Sequence, residues 1–168
     1  MIAAEILSNS HKKQKIDFSC GKESLDTYII TQASQDVRRK LSACFVSLHV
    51  DSGLIQGYYT LSNNSIPLNI VPDSFKNQLP NPYHSIPTTL LGRLAVDNRF
   101  KGTGIGRMLL IDALRKSYEI SKTIGSFAVV VDPLDEDAEN FYTKYGFILL
   151  PDSRKMFLAM KTIERLFV

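Results

Sequence analysis

Apolar residues recur every three or four positions in three stretches and bunch or alternate in five others. In residues 22–40, Leu25, Tyr28, Ile29 and Ala33 share one helical face, with Asp17 or Ser19 placed to begin the preceding turn. Residues 42–50 and 54–66 read as two strands joined by a turn at Asp51, Ser52 and Gly53, an antiparallel hairpin. Residues 67–89 contain Pro67, Pro72, Pro80, Pro82 and Pro87 and read as irregular, with a short helix over 72–78. Residues 88–96 form a central strand. Residues 107–125 form a strong amphipathic helix ended by Gly125. Residues 126–133 are almost wholly apolar, as in a strand covered on both faces. A helix over 135–146 starts at Asp135 and stops at Gly146, and residues 147–163 supply one or two closing strands. The order α-β-β-β-α-β-α-β describes an α/β domain with a mixed sheet.

Composition narrows the class. The chain has 168 residues, 44% hydrophobic and 22% charged, which suits one globular domain spanning 1–168 and argues against disorder. No apolar run approaches the roughly 18 residues of a membrane helix. At the N-terminus the charges follow the apolar part, the reverse of a secretory signal, so a cytoplasmic location is expected. Cys20 and Cys44 lack metal-ligand spacing, and His11, His49 and His84 are scattered, so no metal site is expected. A net charge of +3 permits a polyanionic partner without demanding one.

The strongest chemical signal lies between the central strand and the long helix. Gly102, Gly104 and Gly106 alternate with other residues, and Arg99, Lys101 and Arg107 flank them. Strand, glycine-rich turn and helix together make an anion cradle. Backbone N–H groups are free to donate, the helix start adds partial positive charge, and glycine admits close approach. A Walker A loop fails, because its second glycine falls on Arg107. A dinucleotide fingerprint fails for the same reason at its third glycine.

Arg99-Phe-Lys-Gly102-Thr-Gly104 resembles the Q/R-x-x-G-x-G/A signature of the GCN5-related N-acetyltransferases, the GNAT superfamily. Residues 138–147, AENFYTKYGF, resemble that family's A-x-x-F-Y-x-x-x-G-F element. The resemblance implies the GNAT fold, a single domain with a central mixed, mostly antiparallel sheet flanked by helices. It also implies acetyl-coenzyme A as co-substrate, with its pyrophosphate held by Arg99, Lys101, Gly102, Thr103, Gly104, Ile105, Gly106 and Arg107. Its pantetheine arm would pair with the backbone of Leu94, Ala95 and Val96. Many family members carry Asn where this chain has Asp135, which leaves Asp135 outside the implied site.

Acetyl transfer from a thioester to an amine needs a fixed donor, a stabilised oxyanion and a proton for the departing thiolate. The resemblance gives the last role to Tyr142, a phenol protonated at neutral pH. Phe141, Tyr145 and Phe147 read as core aromatics. Glu5, Glu23 and Glu119 look like helix-surface or terminal residues, so no general base is evident. An α-amine, with a pKa near 7.7–8.0, needs a base less than a lysine near 10.4 does.

Residues 17–46, 55–62, 86–97 and 156–163 extend the similarity to the GNAT toxins of bacterial toxin–antitoxin pairs. That resemblance implies aminoacyl-tRNA as substrate, acetylated on its α-amine, a ribbon-helix-helix antitoxin as partner, and a homodimer. Arg38, Arg39, Lys40 and Arg93 are then candidates for tRNA contact, with Arg115 and Lys116 as further cations near the loop helix. Arg93 interrupts an apolar strand and should either pair with a carboxylate or face the substrate groove. The competing readings are a GNAT enzyme acting on a small amine or a protein N-terminus, and a GNAT fold that binds without catalysis.

Overall fold

In the computed structural model, which describes residues 4–80 and 83–168, the strands form one seven-stranded sheet of order β1-β2-β3-β4-β5-β7-β6. They are β1 (Glu5–Ile6), β2 (Ala43–Leu48), β3 (Ile55–Pro67), β4 (Ser85–Val96), β5 (Ala128–Val131), β6 (Ile148–Leu149) and β7 (Met156–Ala159). The helices are α1 (Lys12–Ile16), α2 (Glu23–Thr27), α3 (Ala33–Arg38), α4 (Asp73–Lys76), α5 (Ile105–Ser121), α6 (Glu136–Lys144) and α7 (Met160–Glu164). The chain divides into two compact units, one up to Ser62 together with Gly92–Ala113, the other Asn63–Leu91 with Leu114–Val168.

In the first unit, β2 and β3 form the expected antiparallel hairpin, Cys44 opposite Thr60 and Val46 opposite Tyr58. Gly53 closes its turn at φ +69°, donating to the His49 carbonyl at 2.8 Å. The core gathers Phe18, Tyr28, Ile29, Cys44, Val46 and Tyr58. Two short elements escape the sequence pattern. They are β1, which pairs with β2, and α1, whose KKQKI carries too few apolar residues to show a face. The helix expected over 22–40 is interrupted: between α2 and α3, Tyr28–Gln32 wind as one π turn, which turns Tyr28 and Ile29 inward. Lys40 occupies the position after the cap of α3 with φ +61°, and Leu41 N donates back to Asp36 O at 3.0 Å. That left-handed position ordinarily takes glycine.

In the second unit, β4 and β5 run parallel, Thr89 opposite Val129 and Leu90 opposite Val130. Parallel neighbours need a long crossover, and α5 supplies it. All four residues of β5 are buried, as the apolar run required. β4 begins at Ser85, inside the segment expected to be irregular. Pro87 fits an extended φ, and its carbonyl accepts from Phe127 N at 2.8 Å. α5 starts at Ile105 and stops at Ser121, and Gly125 lacks a left-handed φ, so it does not cap the helix. Gly146 does cap α6, at φ +91°, with Phe147 N donating to Tyr142 O at 3.1 Å. The closing segment gives β6 and β7, but Met160–Glu164 is helical, burying Met160 and Ile163 at i, i+3 spacing. Among the described residues no helix is long and apolar enough to cross a membrane.

Candidate active site

Strand β4 ends at Val96 and hands the chain to a short 3₁₀ turn, Asn98–Phe100, then to the glycine loop and α5. Gly102 and Gly104 adopt φ +75° and +87°, and a Cβ built on either meets no atom within 4 Å. The backbone conformation therefore requires glycine, and the space above it is open. Met108 N donates to Gly104 O at 3.1 Å, which leaves Ile105, Gly106 and Arg107 in the first turn, where N–H groups have no partner within the helix. Ile105 and Gly106 thus belong to the helix start rather than the loop, with Ile105 buried beneath it and Arg107 exposed above. Thr103 donates its hydroxyl to the Phe100 carbonyl, which tightens the turn.

The loop cations have partners. Arg99 clasps Asp97 through Nε to Oδ1 at 2.8 Å and Nη2 to Oδ2 at 2.9 Å, and Nη2 also donates to the Asp17 carbonyl at 3.3 Å. Asp97 is 1% exposed and also accepts from the backbone N–H of Arg99 and of Ser19. Burial alone would raise its pKa. The Arg99 side chain and those two N–H groups outweigh burial and hold the carboxyl below its ordinary value. Lys101 donates its ammonium to the Cys20 carbonyl.

Leu94 and Val96 are half-buried and Ala95 is buried. Sequence reasoning missed the residue beside them. A Cβ on Gly57 of β3 would lie 2.6 Å from the Ala95 carbonyl oxygen and 2.6 Å from Leu109 Cδ1. Only glycine lets β3 pass this close to the end of β4 and to α5. A lone glycine inside a strand pattern was the available signal. Tyr59, two residues on, donates its buried hydroxyl to Asp112 at 2.6 Å and so ties α5 to β3.

Arg93 packs on an aromatic ring. Its guanidinium lies 3.5 Å from the centroid of the Tyr28 ring, a cation–π contact, and the Tyr28 hydroxyl donates to Asp36 at 2.8 Å. The π turn is what brings Tyr28 under Arg93. Arg38, Arg39 and Lys40 are exposed together at the end of α3. Arg115 stacks over Phe167, 4.8 Å from its centroid.

In the second unit, Tyr142 is the buried residue of α6, its ring 5.3 Å from Phe141 and 5.2 Å from Phe147. Burial raises its phenol pKa far above the usual value, so it stays protonated across the physiological range. Phe147 is core as expected, whereas Phe141 and Tyr145 are only half-buried and pack on each other at 5.0 Å. Asp135 caps α6, accepting from Ala138 N at 2.9 Å, which explains a short acidic residue there. Two of the carboxylates that looked superficial are exposed, Glu5 beside the buried His11 at 3.1 Å and Glu119 beside Lys122 at 3.1 Å. Glu23 lies in the first turn of α2.

Residues 73–149 match the acetyltransferase (GNAT) domain. A tRNA-acetylating toxin of Mycobacterium tuberculosis is 33% identical over 150 residues, covering 89% of this chain and 87% of the toxin. The chain belongs to the GNAT acetyltransferases. Two solved structures of the toxin AtaT share its fold along nearly their whole length. AtaT complexed with acetyl-methionyl-tRNA superposes with a TM-score of 0.89 at 29% identity, covering 100% of both chains. An AtaT variant with one tyrosine changed to phenylalanine, bound to acetyl-CoA and to the C-terminus of the antitoxin AtaR, gives 0.82 at 27% identity, covering 99% of this chain and 98% of that one. The matches to the acetyltransferase domain and to a tRNA-acetylating toxin stand against the reading of a fold that only binds.

Proposed function

We propose that this acetyltransferase uses acetyl-CoA to acetylate the α-amino group of aminoacyl-tRNA and acts as a toxin that stops translation. The observation that carries the reading is the 33% identity to a tRNA-acetylating toxin over 89% of the chain. The likeness to AtaT complexed with acetyl-methionyl-tRNA supports it, and favours it over a small amine or a protein N-terminus as substrate. The chain acts as one catalytic domain in the cytoplasm. Its partner is an antitoxin of the ribbon-helix-helix class, and it works as a homodimer.

The glycine loop fits the pyrophosphate of acetyl-CoA. The left-handed glycines open the approach, and the α5 first turn offers its N–H groups. The backbone of Leu94, Ala95 and Val96 takes the pantetheine arm. The substrate α-amine attacks the thioester carbon, the C–S bond breaks, and Tyr142 gives its phenolic proton to the departing sulfur. The amine sheds a proton to solvent as the amide forms, and Tyr142 takes a proton back from solvent to restore the phenol. An α-amine near pKa 7.7–8.0 is already partly neutral, so the step runs without a dedicated carboxylate.

Arg38, Arg39 and Lys40, with Arg93, are assigned to tRNA. Lys40 supplies a sharp test, because an L-residue in the left-handed region costs roughly 1–2 kcal/mol. Lys40→Gly is expected to raise thermal stability by about 1 kcal/mol while weakening tRNA binding and flattening its salt dependence. Thermal unfolding and binding titrations at two salt concentrations check both halves. A stabilised variant with unchanged tRNA affinity would take Lys40 out of the interface.

The function itself is tested in a cell-free translation system. Protein plus acetyl-CoA is expected to stop amino-acid incorporation, and neither alone should do so. Undiminished incorporation, with acetyl transfer to a small amine in the same buffer, would favour the small-amine reading.

A further inference from the structure

Arg99 and Lys101 are exposed, yet both bond back onto the chain. Arg99 holds Asp97 and the Asp17 carbonyl, and Lys101 holds the Cys20 carbonyl. The backbone repeats the pattern: Ser19 N donates to Asp97 Oδ2 at 3.1 Å, and Asn98 N donates to Ser19 O at 2.8 Å. At the strand end, Asp97 N donates to Gln56 O at 2.8 Å. Cys20 N in turn donates to Asp26 Oδ1 of α2 at 2.8 Å. One buried carboxylate therefore receives four hydrogen bonds and joins three things: the end of β4, the start of the glycine loop, and the 17–20 segment leading into α2.

We infer that Asp97 and Arg99 are positioning residues, an internal clasp that sets the glycine loop for the pyrophosphate, and that Arg99 is not itself a phosphate ligand. A surface arginine kept for an anion would leave its fork toward solvent. Here both arms of the fork lie on one carboxylate, the bidentate geometry in which Arg and Lys are not interchangeable. The clasp also fixes the residue before the loop, so a change at Asp97 reaches the phosphate only through backbone geometry. This inference rests on the reading of the loop as the acetyl-CoA cradle.

The test is a double-mutant cycle read as acetyl-CoA affinity by calorimetry, with Arg99→Lys, Asp97→Asn and both together. Arg99 is 43% exposed at its side chain and Arg99→Lys keeps a cation beside Asp97, and thermal unfolding of each variant checks that it is folded. The expected result is that Arg99→Lys, which keeps the charge but loses the fork, weakens acetyl-CoA about ten-fold, the equivalent of one charge-assisted hydrogen bond. Asp97→Asn should weaken it similarly, and the double variant should be no worse than either single one. In steady-state assays the KM for acetyl-CoA should rise with kcat nearly unchanged, a split that a mere loss of folded protein would not give. Retention of parental affinity by Arg99→Lys would overturn the inference, as would additive losses in the double variant. Failure of the unaltered protein to bind acetyl-CoA would instead overturn the cradle reading beneath it.

Discussion

Replacing Tyr142 by phenylalanine is expected to lower the rate of acetyl transfer by about 10²–10⁴ while leaving acetyl-CoA affinity nearly unchanged. The ring is buried between Phe141 and Phe147, and phenylalanine keeps that packing, so the fold should hold. What is lost is one hydroxyl whose proton burial keeps in place. A phenol held neutral is suited to donating at the moment the thiolate leaves, because the charge appears on sulfur and not on the ring until transfer. The check is paired: calorimetry for acetyl-CoA, and a single-turnover rate with charged tRNA. Parental rates in the variant would remove Tyr142 from the chemistry. A matching loss of acetyl-CoA affinity would make it a binding residue instead.

Gly104→Asp is expected to weaken acetyl-CoA binding by up to about a thousand-fold. Aspartate is among the few L-residues that tolerate a left-handed φ, so the backbone at φ +87° strains less than with most side chains. Its carboxylate would enter the open space above the loop, where no protein atom lies within 4 Å of the added Cβ. Two like charges about 4 Å apart repel by roughly 1 kcal/mol in water and about 4 kcal/mol at an effective dielectric of 20. That spans about five-fold to nearly a thousand-fold in affinity. Gly104→Asn carries similar bulk without the charge and should lose much less. Equal losses in the two variants would assign the effect to shape. Unchanged affinity in both would move the pyrophosphate away from this loop.

The parts of the site legible in the sequence are those whose cause is local. Gly102 and Gly104 announce left-handed backbone, and Asp135 and Gly146 announce the two ends of α6, because each residue acts on its own few neighbours. The parts that were not legible depend on distant partners. Nothing near Gly57 in the chain says that the Ala95 carbonyl lies 2.6 Å from where its Cβ would be. Arg93 looked like a charge in need of a carboxylate or a groove. It rests on a tyrosine ring delivered by a π turn that the apolar spacing of 22–40 does not encode. Arg99 fitted a phosphate motif by position, and only its contact with Asp97 reveals where its fork lies. The short β1, α1 and α7 failed for a different reason. Two to five residues are too few to show a period, and their form comes from the strands and loops they pack against.

The central claim is that the acetyl acceptor is the amino acid on a charged tRNA. The most direct measurement incubates the protein with labelled acetyl-CoA and total aminoacylated tRNA, then releases and identifies the aminoacyl ends by mass spectrometry. The account predicts an N-acetylated amino acid that depends on the protein and on prior charging of the tRNA, and that is absent with Tyr142→Phe. Label found on no aminoacyl end, across all tRNAs, from a protein that binds acetyl-CoA would contradict it.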